Sequence, residues 1–199
     1  MKPSSFPAFA ICGLDELIGH QGRGVTHILS ILDPEWPDPT AFQAYDPHFR
    51  ATLRFHDAIE PGPDILLPRR GDVEAILTFG RDAAEAGGLL IHCHAGISRS
   101  TAATLVILAQ AHPREAEDEL AERLLQNRPQ AWPNSRMITF ADELLNRYGR
   151  LMTAAASLYT RQLEKRPELA EIMRRGNRAR EVELGLNGKS AQARLKQAM

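Results

Sequence analysis

Hydrophobic residues along the chain follow two different spacings, and these spacings predict where strands and helices lie. Short runs of apolar, β-branched or alternating residues predict core strands at 25–32, 51–56 and 89–92, and a further apolar run occupies 9–13. Apolar residues spaced three and four apart predict a helical turn at 14–20 and helices at 72–86, 98–112, 113–126 and 135–148. Proline-rich segments at 33–48 and 61–68 predict loops between these elements.

The order of the predicted elements indicates the fold class. Strands alternate with helices in the first half of the chain and a run of helices follows, which is typical of an α/β fold. We therefore expect a central, mostly parallel sheet flanked by helices. The length of 199 residues suits one domain with an appendage. We expect a globular domain at 1–150 and a helical, amphipathic extension at 151–199, in which the segment 185–190 frays.

Charge is distributed unevenly between these two parts. Residues 161–199 hold ten Lys or Arg and five Asp or Glu. The rest of the chain holds fourteen Lys or Arg and twenty Asp or Glu, so the whole chain has a net charge of −1. A basic extension on an acidic body predicts contact with an acidic partner, or self-association. A solvated helix, or a contact within the chain, would explain the same charges.

The composition indicates a cytoplasmic protein. Hydrophobic residues make up 43% and charged residues 25%, as in soluble globular domains. Two cysteines are too few for a disulfide framework, which favours a reducing compartment. The first residues lack the apolar core of a signal peptide. The longest apolar run, at 101–111, is too short to span a bilayer, so no transmembrane segment is expected.

The segment 92–100, His-Cys-His-Ala-Gly-Ile-Ser-Arg-Ser, follows a predicted strand and opens a predicted helix. A helix N-terminus with a ring of backbone N–H groups stabilises both a thiolate, such as that of Cys93, and a phosphate dianion. Arg99, six positions later, can hold two phosphate oxygens in a bidentate fork, which a lysine cannot. Gly96 supplies the backbone freedom of a tight turn. The hydroxyl of Ser100 is placed to donate to the sulfur.

This segment resembles the signature of the protein tyrosine and dual-specificity phosphatases, His-Cys-x-x-Gly-x-x-Arg-Ser/Thr, and every fixed position is met. The resemblance implies a catalytic cysteine, and a loop that orders itself through His92 and carries His94 at the pocket rim. It also implies that phosphate is bound by the loop residues His94, Ala95, Gly96, Ile97 and Ser98. The alternative, a buried core Cys93 beside a surface Arg99, leaves the glycine and the hydroxyl unexplained.

Such a phosphatase needs an acid to protonate the leaving oxygen. The family carries it as an Asp on a loop some thirty-odd positions before the cysteine, which points to Asp57, 36 positions before Cys93 and at the end of a predicted strand. Asp64 and Glu60 on the same loop are the alternatives, and Asp57 could instead merely cap a turn. The triplet Trp36-Pro37-Asp38 spells the acid motif of the tyrosine-specific branch, but it lies too early and predicts only a turn.

A second motif, at 128–134, resembles the dual-specificity pattern Arg-Pro-x-x-x-Pro-Asn. The resemblance implies that Asn134 bonds to the phosphate loop or orients the hydrolytic water. An Asn before a helix is also an ordinary N-cap, and the two roles are compatible. Together the motifs and the acid extend the resemblance over residues 8–148.

The resemblance implies a phosphatase that acts through a phosphocysteine and takes phosphorylated proteins as substrates. Phosphotyrosine is expected first, with phosphoserine and phosphothreonine as further substrates, and no cofactor is needed. The histidines show no ligand spacing, so no metal is predicted. The loop lacks the lysines of phosphoinositide phosphatases, which disfavours that substrate, and RNA 5′-phosphates come third. A phosphate-binding pseudophosphatase is the non-enzyme alternative, whereas a sulfurtransferase or arsenate reductase would not need Asp57.

Overall fold

A computed structural model describes residues 8–85 and 87–197, and its centre is a parallel β-sheet. The strands are β1 (Ala8–Cys12), β2 (His27–Leu32), β3 (Phe49–Arg54) and β4 (Gly88–His92). All pairings are parallel and the spatial order is β1-β4-β2-β3. The predicted α/β fold with a parallel sheet is therefore confirmed, and the apolar run at 9–13 forms an edge strand.

Alternating residues of the central strands build a core on each face of the sheet. Leu29, Leu89 and Ile91 belong to the large core beneath the long helices, whereas Ile28 and Leu90 face a smaller cluster. The smaller cluster is covered by 3-10 helices, Leu14–His20 and Thr40–Ala44. This division follows from the strand period of two, which sends neighbouring side chains to opposite faces.

Seven α-helices are found in the described part of the chain. They are α1 (Arg70–Asp82), α2 (Arg99–Ala111), α3 (Glu117–Asn127), α4 (Ser135–Leu144), α5 (Arg150–Lys165), α6 (Leu169–Arg175) and α7 (Ala179–Gln197). The predicted start of α3 at Pro113 is wrong, because the helix begins where three consecutive acidic residues favour its N-terminus. The predicted end of α4 at Tyr148 is also wrong. Asp142 instead accepts the main-chain N–H groups of Gly149 and Leu151, which closes a tight turn into α5.

The helices after residue 150 pack on the rest of the molecule. Buried residues of α5, among them Leu151 and Leu158, belong to the same large core as the sheet. The expected fraying at 185–190 is wrong, since α7 continues through it. A Cβ added at Gly185 would lie 2.9 Å from Tyr159 Cβ, so the glycine lets α7 approach α5 closely. The boundary at residue 150 stays a prediction.

Several basic side chains of the last forty residues are used inside the chain. Ion pairs with glutamates of the same chain are formed by Arg161, Arg174, Arg175 and Arg178. These pairs favour the contact within the chain as the explanation of the basic charge, and an acidic partner stays a prediction. Among the described residues, no helix combines the length and the hydrophobicity that crossing a membrane requires.

Candidate active site

The carboxyl ends of the parallel strands meet at one edge of the sheet, and the candidate residues follow these ends. β4 leads into the loop 93–98, which ends at α2, while β2 and β3 lead to Asp33 and Asp57. Clefts at such an edge are where open α/β sheets bind ligands. The fold thus brings together segments that lie 36 and 60 positions before Cys93 in the sequence.

The loop 93–98 has the geometry of an anion cradle. Within the described part of the chain, the main-chain N–H groups of residues 94–98 have no hydrogen-bond acceptor. Two carbonyls of the loop are held from behind: Arg128 donates to Gly96 O at 2.9 Å and to Ala95 O at 3.0 Å. Arg128 is itself fixed by two hydrogen bonds of 2.8 Å to Glu16. Unpaired N–H groups gathered in one loop bind anions.

Gly96 has the left-handed conformation, with a φ of 68°. A Cβ there would lie 2.5 Å from the carbonyl carbon of Cys12 and 2.7 Å from Arg128 Nη2. The glycine therefore supplies the backbone freedom that was predicted, and it also allows the loop to approach strand β1 and Arg128 closely. Burial and then Glu16 raise the pKa of Cys12 to about 12, so Cys12 stays a neutral thiol beneath the loop.

Cys93 lies at the base of the loop and is 2% exposed. Its Sγ is 3.2 Å from Ser100 Oγ, the contact that the sequence predicted for that hydroxyl. His92, just before it, lies 2.6 Å through Nε2 from Ser30 Oγ on β2. Burial lowers the pKa of His92 to about 4, so the ring is neutral at physiological pH. His92 therefore ties the start of the loop to the neighbouring strand β2.

Arg99 is buried at the start of α2, and among the described residues it finds hydrogen-bond partners through one nitrogen, Nη1. Nη1 donates to Asp33 Oδ1 and to Phe55 O, both at 2.6 Å. Nε is buried and has no partner among the described residues. A buried donor without a partner is costly, so an acceptor is expected there when the site is occupied. The Nε edge of the guanidinium is the edge that an oxyanion would bind.

No role for Asp33 was predicted from the sequence, and only a turn was predicted at Trp36. Both residues contact His94 of the loop. The Trp36 ring lies 4.5 Å from the His94 ring, and the Asp33 N–H donates to His94 Nε2 at 3.3 Å. His94 is thereby held at the pocket rim, where it was expected. Asp38 instead pairs with Arg50 and Arg54, away from the cysteine, so it is not an acid of this site. The position of Asp33 at the end of a central strand was a usable signal.

Asp57 faces the loop, and the hydrogen bonds that it accepts from described residues all end on one oxygen. Ser98 Oγ donates to Oδ1 at 2.7 Å, Asn134 Nδ2 at 3.0 Å and Arg178 Nη1 at 3.3 Å. The Asn134 amide thus reaches Asp57, and its main-chain N–H donates to the loop at Ser98 O. As an N-cap, Asn134 also accepts from two N–H groups of α4, as expected.

The electrostatic surroundings of Asp57 favour its ionised form. Burial by itself would raise the pKa of Asp57, but Arg178, Arg99 and the hydrogen bonds from Asn134 and Ser98 together lower it below its ordinary value. Positive charge and donors to the carboxylate stabilise the charged form. The alternative acids Asp64 and Glu60 do not line the cavity that contains Cys93.

That cavity has a volume of about 390 Å³ and two different walls. One wall is the loop with Asp57 and Arg99, and its variable positions Ala95 and Ile97 lie there as predicted. The other wall comes from the C-terminal part of the chain: Ile172, Met173, Gly176 and Arg178. No motif in the sequence pointed to these residues, which lie about 80 positions after the cysteine.

Comparison with known proteins identifies the fold. No family model and no curated protein matches the sequence. Solved structures do match. Human DUSP28 superposes with a TM-score of 0.53 at 15% identity, over 73% of this chain and 94% of that chain. The fold is that of the dual-specificity phosphatases.

Two further structures support the same fold. DUSP15 gives a TM-score of 0.50 at 23% identity, over 80% of this chain and 92% of that chain. PTPMT1, in complex with PI(5)P, superposes with a TM-score of 0.50 at 13% identity, over 70% of this chain and 91% of that chain. The resemblance seen in the sequence is thus confirmed at the level of the fold.

Proposed function

We propose that the chain is a cysteine-dependent phosphatase that hydrolyses phosphate monoesters, with phosphotyrosine in proteins as its first substrate class and phosphoserine and phosphothreonine as further ones. One observation carries the proposal. Cys93 lies at the base of a loop whose N–H groups have no acceptor in the described chain, beside the unpaired Nε of Arg99. A tetrahedral oxyanion with a sulfur nucleophile beneath it matches this arrangement of donors.

Catalysis proceeds in two steps in this proposal. The Cys93 thiolate attacks phosphorus, so an S–P bond forms while the P–O bond breaks, and Asp57 gives its proton to the leaving oxygen. Water then attacks the phosphocysteine, Asp57 takes the proton of that water, and the S–P bond breaks to release phosphate. Ser100 donates to the departing thiolate, and Arg99 with the loop N–H groups holds the oxygens throughout.

The acid must be protonated when the ester binds. Arg178 and Arg99 lower the pKa of Asp57 in the free protein, so its protonated form is favoured at acidic pH. A bound phosphate ester adds negative charge beside the carboxyl and raises that pKa. We therefore expect kcat/KM, which reports the free protein, to be highest in the acidic range and to fall as pH rises, and we expect the fall of kcat, which reports the complex, to lie at higher pH.

The cavity walls support an aromatic leaving group. Ile97, Ile172 and Met173 are apolar and line the same cavity as the cysteine, and none of the described residues that line it is a lysine. Apolar side chains suit the ring of a phosphotyrosine. A phosphoinositide headgroup with several phosphates would require more cationic groups. The cytoplasmic location stays a prediction.

The test is hydrolysis of 4-nitrophenyl phosphate by the native chain in the presence of a chelator. Cys93→Ser should abolish turnover, because the nucleophile is lost. Asp57→Asn should lower it by ~10²–10⁴-fold, the usual contribution of an acid–base group. Asp64→Asn and Glu60→Gln, on the same loop, are the matched controls and should keep the native rate.

Rapid quenching with mass spectrometry should detect a phosphorylated Cys93 peptide in the Asp57→Asn variant, if its second step is slowed more than its first. Turnover by a folded Cys93→Ser variant would contradict the proposal. A folded native chain that binds phosphate without turnover would instead favour the phosphate-binding module.

A further inference from the structure

The turn between α6 and α7 reaches the candidate active site from outside the region that carries the family motifs. Arg178 in this turn is 5% exposed and donates through Nη1 to Ser98 Oγ at 2.7 Å. The same nitrogen lies 3.3 Å from Asp57 Oδ1. An arginine so deeply buried, 80 positions after the loop in sequence, is unlike the exposed arginines of α6.

Glu181 fixes the orientation of this guanidinium. Arg178 donates Nε to Glu181 Oε2 at 2.7 Å and Nη2 to Oε1 at 2.8 Å, which is a bidentate pair. Glu181 is fully buried and also accepts from Trp132 Nε1 at 2.6 Å and from the Ser135 N–H at 2.8 Å. Because Nε and Nη2 are both bonded to Glu181, the remaining nitrogen Nη1 is held toward Ser98 and Asp57.

The carboxyl of Asp57 is oriented by this arrangement. All three of its hydrogen bonds, from Ser98, Asn134 and Arg178, end on Oδ1. Oδ2 has no hydrogen-bond partner among the described residues, and Asp57 lines the cavity beside Cys93. One oxygen is thus anchored, and the other is left to carry the proton that a leaving group would receive.

We propose that Arg178 is a positioning residue for the general acid, and that it holds Asp57 with Oδ2 free to protonate the leaving oxygen. This inference rests on the proposed phosphatase function. Arg178 acts through Asp57 and does not itself bind the phosphate, because its nitrogens are used by Glu181, Ser98 and Asp57. The charged and titratable groups around Asp57 are Arg99, Arg178 and His94, with Tyr159 on α5 and Glu181 beyond Arg178.

The inference is tested by comparing two esters that need the acid to different degrees. Phenyl phosphate has a poor leaving group and requires protonation, whereas 4-nitrophenyl phosphate requires it less. Arg178→Gln should lower kcat/KM on phenyl phosphate, which reports the first step, by roughly 10- to 100-fold, since a misplaced group costs that much. The loss on 4-nitrophenyl phosphate should be several-fold smaller. Arg178→Lys should restore only part of the loss.

The pH profile gives a second readout, which a merely structural role would not move. Removing the Arg178 cation raises the pKa of Asp57, so the fall of kcat/KM with rising pH should shift to higher pH in Arg178→Gln. In the Asp57→Asn background, Arg178→Gln should no longer change the ratio of the two esters. Arg174→Gln is the matched control, because Arg174 is an exposed arginine of α6 paired with Glu183, and it should behave as the native chain.

Three results would overturn the inference. An equal loss on both esters would make Arg178 a phosphate ligand, and an unmoved pH profile would make it only a structural residue. A native chain that is folded but inactive on both esters would overturn the proposed function together with this inference. Should the Gln variant not fold, Arg178→Lys is tested in the same way, because one ammonium group cannot hold both Glu181 and Asp57.

Discussion

Two buried arginines reach the cavity from distant regions of the molecule. One lies at the start of α2 and the other in the turn between α6 and α7, and their hydrogen-bond partners differ. Arg99 in the loop bonds to the protein through Nη1 and leaves Nε without a described partner. Arg178 in the turn uses Nε and Nη2 on Glu181 and Nη1 on Asp57 and Ser98.

This difference in hydrogen-bond partners gives the two arginine side chains different roles. An arginine with an unpaired buried donor is prepared for a ligand, because the ligand removes the cost of that donor. An arginine whose nitrogens all have protein partners shapes its surroundings instead. Asp57 is the point where the two regions meet, since both cations act on its carboxyl.

The strongest way to disrupt the C-terminal side is Glu181→Gln. This change removes the bidentate carboxylate partner of the buried Arg178 cation, and removing one partner of a buried pair costs about 3–5 kcal/mol. We expect the free energy of unfolding in urea to fall by that amount. Glu183→Gln, two residues away and exposed, should change it by less than about 0.5 kcal/mol. Equal effects of the two changes would show that the buried Arg178–Glu181 pair contributes no more to the free energy of unfolding than an exposed one.

The matching change on the phosphate-loop side is Arg99→Lys. Lysine keeps the charge but loses the fork, so kcat should fall by about 10²–10³-fold, as when one donor to a transition-state oxyanion is removed. Steady-state hydrolysis of 4-nitrophenyl phosphate measures this effect. Arg70→Lys, at an exposed ion pair of α1, is the control and should keep the native rate. A near-native rate for Arg99→Lys would mean that the phosphate is not held by a fork.

The packing that carries the C-terminal turn is tested by Gly185→Ala. A Cβ there would lie 2.9 Å from both Leu163 Cδ1 and Tyr159 Cβ, and overpacking of this kind costs about 1–3 kcal/mol. This cost exceeds the gain of about 1 kcal/mol in helix propensity, so stability should fall. Gly71→Ala in α1, where nothing lies within 4 Å, should instead raise the free energy of unfolding by about 0.5–1 kcal/mol. Stabilisation by both changes would refute the close α5–α7 contact.

The smallest expected effect is the acid dependence of stability that comes from Asp57. Its pKa is lower in the folded protein than in the unfolded chain, so its contribution is complete above pH of about 4 and is lost as pH falls through the folded value. Urea unfolding between pH 2 and 6 should therefore show a shallower loss in Asp57→Asn than in the native chain. Identical slopes would mean that Arg178 and Arg99 do not stabilise the carboxylate.

The fold and the phosphate loop were accessible from sequence because their signals are local. The strand before Cys93, the glycine at 96 and the helix after Arg99 are adjacent in the chain, so spacing alone predicts a loop at a helix N-terminus. Asp57 was predicted from its position after a strand and from the family resemblance, and the structure places it beside the loop. The errors at Pro113 and Tyr148 are boundary errors, caused by capping contacts with residues elsewhere in the fold.

What the sequence by itself determined is the parallel α/β sheet and the loop from Cys93 to Ser100 at the start of a helix, because the signals for both are local in the chain. Asp57 as the acid stays a prediction that rests also on the family resemblance. Only the tertiary structure decided that Asp33 holds Arg99, that Asn134 reaches the acid, and that Arg178 and Ile172 form the second wall of the cavity. These contacts join segments 66 to 121 positions apart, and no periodicity or spacing specifies which of several arginines is brought there. The packing of α7 on α5 makes that selection.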